Sequence, residues 1–209
     1  MKAIRVPALF AITLLAAALA GCGSLLGVQR QPFTIYAPSY HAPEQGKAGP
    51  RVDWQLVVEM PQASDTLNTA RIVVMPSPGV IEVYPGARWS DPAPALLRSL
   101  VVQGFEQSGR IVGVAGATTG ISADYALAID LHAFQAEIRD GDAHAMIRFQ
   151  ARLLDYRSSR VLATRAFSAD VPFPSKDTSA AFSAFENAVG QAVSELVDWA
   201  LAQGGHPAS

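Results

Sequence analysis

DYALAIDLHAF, residues 124–134, decides the fold. Tyr125, Leu127, Ile129 and Leu131 recur at every second position, so a strand carries all four on one face. HAMIRFQARLLD (144–155) repeats the pattern, with Ile147, Phe149, Ala151 and Leu153 inward and Arg148, Gln150 and Arg152 outward. RVLATRAFSADV (160–171) reads as a third strand. The connections RDGD (139–142) and YRSSR (156–160) have turn composition, so the three strands are predicted to form an antiparallel meander. A hairpin centred between Asp140 and Gly141 sets His144 opposite Glu137 rather than His132.

Outward from the meander the pattern changes to helix on both sides. Downstream, Phe182, Phe185, Val189, Val193, Leu196 and Ala200 form one stripe of a helix over about 178–203, ended by Gly204-Gly205. Gly190 within it costs about 1 kcal/mol relative to alanine, which predicts close packing on the sheet. Upstream, Leu97, Val101 and Phe105 lie on the stripe of an earlier helix, widened by Leu96 and Leu100. Ser90 or Asp91 is placed to cap it, Pro92 and Pro94 are tolerated in its first turn, and Gly109 closes it. RIVGVA (110–115) reads as a strand. WQLVVEM (54–60), ARIVVMP (70–76) and VIEVY (80–84) are further strands, the last two paired across a Pro-Ser-Pro-Gly turn. PFTIYAP (32–38) predicts a short edge strand bounded by prolines. The expected fold is α+β, a largely antiparallel sheet with two amphipathic helices on one face, in the order β-β-β-α-β-β-β-β-α.

The N-terminus has a separate logic. Lys2 and Arg5 precede an apolar run from Val6 to Ala20, too short for a membrane-spanning helix and fitting the apolar core of a secretory signal. It ends in Leu19-Ala20-Gly21-Cys22, which matches the lipobox of bacterial lipoproteins at every position, and Cys22 is the sole cysteine of the 209 residues. That resemblance implies a diacylglycerol on the Cys22 sulfur, cleavage before Cys22, and a third acyl chain on the new amine. Stable anchoring needs at least two chains, consistent with this. Gly23 follows where an aspartate would favour inner-membrane retention, which implies sorting to the outer membrane. The expected organisation is a signal peptide over 1–21, a lipidated N-terminus and tether with the edge strand over 22–53, a folded domain over 54–204 and a tail over 205–209.

Beyond residue 21 the chain has 14 basic and 18 acidic side chains, without the basic footprint of a nucleic-acid binder. With one cysteine, packing rather than disulfides must hold the domain. Catalytic motifs are missing. VGVAGATTG (112–120) spaces its glycines G-x-x-G-x-x-x-G before a strand, unlike a dinucleotide loop. The sequence contains neither a phosphate-binding G-x-x-x-x-G-K-[ST] nor a G-x-S-x-G nucleophile elbow. His41, His132, His144 and His206 lack metal-ligand spacing. No catalytic residue, metal site or cofactor is therefore expected.

FTIYAP, TARIVV (69–74), VYPGARWSDPAPALL (83–97), SADYALAIDLHAF, LLDYRSSRVLATRAF and a final helix ending near Trp199 follow one another in an order that resembles the auxiliary lipoproteins of ABC-type lipid transport systems. The Arg88-Trp89-Ser90-Asp91-Pro92 element is the most distinctive part. The resemblance implies a non-enzymatic, lipid-anchored component on the periplasmic face of the outer membrane. It would dock an MCE-domain (mammalian cell entry) conduit that an inner-membrane ABC permease and ATPase energise. Self-association is natural for a partner of ring-forming MCE proteins. Tyr84, at the end of the VIEVY strand, with Arg88 and Trp89, read as lying in a loop before the helix, are the candidate protein contact. The other reading, slightly favoured, is that Trp89 caps the core and Arg88 pairs with Asp91 or a carbonyl. The outward face with Arg148, Gln150 and Arg152 is a second candidate surface, unless it is a plain solvated face, the reading such a charged face more often has. A different class is an outer-membrane assembly or structural lipoprotein that binds a β-barrel or envelope polymer; a third is a periplasmic hydrolase.

Overall fold

The computed structural model describes residues 33–42, 49–116, 122–174 and 178–204. The signal peptide, Cys22 and the tether up to residue 32 lie outside these residues, as do 117–121, Gly205, His206 and the rest of the tail. The elements run β1 (Thr34–Tyr36), β2 (Gln55–Val58), β3 (Gln62–Ala63), β4 (Arg71–Ser77), β5 (Val80–Trp89), α1 (Ala93–Ser108), β6 (Gly113–Gly116), β7 (Tyr125–Arg139), β8 (Asp142–Asp155), β9 (Val161–Phe173) and α2 (Thr178–Gln203). The fold is α+β, as the patterning predicts; β1 is the edge strand expected in PFTIYAP, and the two-residue β3 is added before the first helix.

The long β7 organises the sheet. Along one side it pairs antiparallel with β8 over its whole length, from Tyr125↔Asp155 to Arg139↔Asp142, and β8 pairs in turn with β9. Asp140 (φ 52°) and Gly141 (φ 93°) both take left-handed backbone at the β7–β8 turn, the signature of a type I′ hairpin. Glu137 faces His144 in that register, as the sequence indicates. Along its other side β7 meets three short strands end to end, all parallel: β2 at Tyr125–Leu127, β3 at Asp130–Leu131 and β4 at Gln135–Glu137. β2 also carries β6 in parallel, and β5 carries β1 in parallel. The sheet is thus mixed, with its longest ladders antiparallel.

One register shift matters for the core. The β7–β8 pairing skips His132, between Leu131↔Phe149 and Ala133↔Arg148. The extra residue rephases the alternation, so Phe134 and Ala136 continue the buried face begun by Leu127, Ile129 and Leu131.

Both helices pack on that face. Leu97, Val101 and Phe105 of α1, and Phe185, Val189, Val193, Leu196 and Ala200 of α2, are buried in one cluster with Ile147, Phe149, Ala151 and Leu153 of β8. Small side chains bring α2 close: Ala184, Ala188 and Ala192 on the helix, Ala143, Ala145 and Ala151 on β8. The helices meet at Gly104 of α1, where an added Cβ would lie 2.6 Å from Val193 Cγ1. Gly190 does not pack on the sheet as expected. It faces the segment after β1 instead, where an added Cβ would lie 3.0 Å from the His41 carbonyl oxygen. The start of α1 also differs from expectation. Its N-cap is Pro92, with no side-chain hydrogen bond from Ser90 or Asp91. Proline in the first turn leaves fewer N–H groups to satisfy, so the cap carries less of the burden. Gly109 closes the helix in the left-handed conformation (φ 62°).

Candidate functional site

Tyr84 lies on β5 as expected, and Arg88 and Trp89 lie on the same strand, not in a loop. VIEV is a run suited to a strand, and the chain then crosses Tyr84-Pro85-Gly86 without leaving the sheet. The β4–β5 register jumps from Val73↔Val83 to Arg71↔Arg88, so the extra residues form a bulge on β5, with Gly86 at φ 68°. Past the bulge β5 takes up β1 on its outer edge: Thr34↔Ala87, Ile35↔Arg88, Tyr36↔Trp89.

This pairing separates the three candidates. Trp89 faces the helices and is 1% exposed. Its ring sits edge-on to Phe134 (5.5 Å) and Phe185 (5.1 Å), which stack on each other at 5.7 Å. Its backbone N–H donates to the Ala70 carbonyl at 2.7 Å, and that of Ser90 to the Tyr36 carbonyl at 2.8 Å. Trp89 is a core residue, and its indole has no surface to offer a partner. Arg88, one residue earlier, points outward. Its guanidinium lies 4.3 Å from the centroid of the Phe33 ring, where the alternative reading expected Asp91 or a carbonyl. Tyr84 is half-buried, and burial pushes its phenol above the usual tyrosine range.

Pairing and alternation put Arg88 on one face with Phe33 and Ile35 of β1, Arg71 of β4, and Ile81 and Val83 of β5. The apolar members are strongly exposed: Phe33 50%, Ile35 52%, Ile81 54% and Val83 42%. The sequence contains these residues in strand-like alternation, but alternation alone does not say which side is covered. Sequence reasoning therefore missed them.

The second candidate surface is the outward side of the meander. Arg148 is exposed there, whereas Arg152 is paired with Asp130 at 2.8 Å. Toward the β7–β8 turn, Arg139 holds Asp170 (2.6 Å) and Glu137 (3.0 Å), and His144 Nδ1 lies 2.7 Å from Asp170. Burial acts to raise the Asp170 carboxyl. The hydrogen bonds from Arg139 and His144 outweigh it together and hold the group below the usual carboxylate range. His132 projects from the bulge and His41 lies 4.0 Å from Glu186. Among the described residues no group of three His, Cys, Asp or Glu is arranged to hold a metal ion. None of the described helices is long and apolar enough to cross a membrane. A cavity of about 330 Å³ opens between α1 and α2, where Arg110 donates to Asp198 at 2.6 Å beside Tyr40.

Comparison with known proteins places this architecture. Residues 34–197 match the family described as the ABC-type transport auxiliary lipoprotein component. A Xanthomonas campestris protein of known crystal structure is 41% identical, with a TM-score of 0.75 over 82% of this chain and 96% of its own. A second crystal structure, of an uncharacterized protein, shares the fold at 17% identity and a TM-score of 0.59, over 78% of this chain and 99% of its own. An uncharacterized protein of Bradyrhizobium diazoefficiens is 26% identical over 159 residues, and the match spans 42% of its length.

Proposed function

We propose that this chain, which belongs to the ABC-type transport auxiliary lipoprotein family, is a non-catalytic adaptor. It is held at the periplasmic face of the outer membrane through acylated Cys22, where it docks the end of an MCE-domain conduit for a lipid substrate. The observation that carries this reading is the matched domain starting at residue 34, twelve positions after a complete lipobox. A tethered domain with no nucleophile motif and no membrane-spanning helix among its described residues suits a docking role. The ABC permease and ATPase supply the energy, and this chain supplies attachment.

With Trp89 turned inward, we place the protein contact on the outward face of the meander around Arg148 and Gln150. Arg148 is exposed there on a rigid strand paired on both sides, and arginine is enriched at such contacts. The test is affinity purification of the lipidated chain from detergent-solubilised envelopes. An MCE-domain protein is expected to co-purify, and Arg148→Glu is expected to reduce its yield several-fold while Cys22→Ser abolishes membrane recovery. Co-purification of a β-barrel protein in its place would shift the reading to an envelope-assembly lipoprotein.

A further inference from the structure

We propose that the outward face of the β1–β5 edge rests on the bilayer that holds the lipidated N-terminus, with anionic headgroups against Arg71 and Arg88. The proposal rests on the reading of Cys22 as the anchor. Phe33, Ile35, Ile81 and Val83 form a contiguous exposed apolar surface on one side of the sheet, and an apolar surface of that kind marks an interaction site. Among the described residues, β5 has a strand on its outer edge at Ala87–Trp89 only, so Val80–Gly86 also presents an open strand edge. Edges of this kind are normally blunted by charge, proline, a bulge or a covering element; here Pro85 and the bulge blunt the Tyr84–Gly86 end, and Glu82 is the one charged residue in Val80–Val83.

Two observations select a lipid surface as the occupant. The first is charge. The chain beyond residue 21 is net acidic, yet this face carries Arg71 and Arg88 side by side. Glu82 points to the opposite side by strand alternation, and Glu137, two strands further in, is already engaged by Arg139. A cationic, aromatic and aliphatic surface is what a contact at the headgroup boundary requires. The second is reach. The chain enters the domain at Phe33, within this surface, eleven residue steps after Cys22. Those steps span at most about 40 Å when fully extended. A domain of this size is itself about 40 Å across, from a radius of gyration of about 16 Å. Turning Phe33 to the side away from the bilayer would need the whole tether stretched to its limit, which favours the face bearing Phe33 toward the anchor. The acyl chains supply attachment, and this surface sets the orientation in which the rest of the domain meets its protein partner.

The test uses the full lipidated chain in vesicles of phosphatidylethanolamine and phosphatidylglycerol. An environment-sensitive fluorophore is placed by cysteine substitution at Ile35 or Ile81, and at the exposed Val112 and Tyr156 as references. Vesicle flotation is followed in parallel. Labels at 35 and 81 are expected to shift to the blue and to be quenched by lipids spin-labelled near the headgroup, while labels at 112 and 156 stay unquenched. Arg71→Glu with Arg88→Glu is expected to abolish the quenching and leave flotation intact. Protein that floats with all four labels equally unquenched overturns the proposed contact and leaves the anchor standing. Wild-type chain that fails to float overturns the anchor reading and the contact with it.

Discussion

Replacing Trp89 by alanine empties the space between Phe134 and Phe185, and large aromatic-to-alanine changes in a core cost about 3–5 kcal/mol. Urea unfolding of Trp89→Ala is expected to show a loss of that order. Arg88→Ala, one residue away on the solvent side, should leave the midpoint almost unchanged. Equal effects from the two substitutions would contradict the assigned orientation of β5. The sequence shows a tryptophan and an arginine beside a helix, a combination that fits both a contact and a core cap. Only the pairing Tyr36↔Trp89 and Ile35↔Arg88 separates the two environments. His144 opposite Glu137 is legible because a two-residue turn fixes register by counting. The link from Asp170 to His144 and Arg139 is not, because it depends on where β9 sits against β8.

At the level of elements, helices and long strands follow from periodicity, since a continuous apolar stripe has one way to be buried. The bounds of α2 fall where the pattern and the terminal glycines set them. β5 is legible only as far as Tyr84, because Pro85-Gly86 carries the composition of a turn. The bulge shows how that composition is absorbed: Gly86 supplies the left-handed backbone, and Pro85 sits where no described strand faces it. Glycines are the least legible residues. Gly190 signals a close approach from sequence, but its neighbour is the chain after β1 rather than the sheet. Gly104, which carries no such signal, marks the crossing of the two helices. Gly104→Ala improves helix propensity by about 1 kcal/mol, yet its methyl group meets Val193 across the helix pair. The steric cost of overpacking, about 1–3 kcal/mol, is expected to win. Thermal unfolding should therefore show a lower midpoint for Gly104→Ala and recovery when Val193→Ala is added. A gain in stability from Gly104→Ala alone would show that the helices stand further apart.

On the scale of the whole molecule, the meander and the helices are readable from sequence, and the parallel half of the sheet is not. β2, β3 and β4 line one side of β7 from segments about 60 to 70 residues earlier in the chain. Nothing local encodes such pairings. They form where β2 and β4 bury Leu56, Val58 and Ile72 in the common core. The resulting molecule has a helix-covered side that holds the core, an outward sheet face with Arg148 exposed, and an apolar, cationic edge at β1 and β5. We assign these last two surfaces separate tasks, the edge meeting lipid and the face meeting protein. Docking through the face is tested by an in-cell photo-crosslink from position 148, with the captured protein identified by mass spectrometry. An MCE-domain protein is expected to be captured from position 148 and not from position 156. Capture of a β-barrel or other envelope protein from 148, or of the MCE protein equally from both positions, would contradict docking through this face.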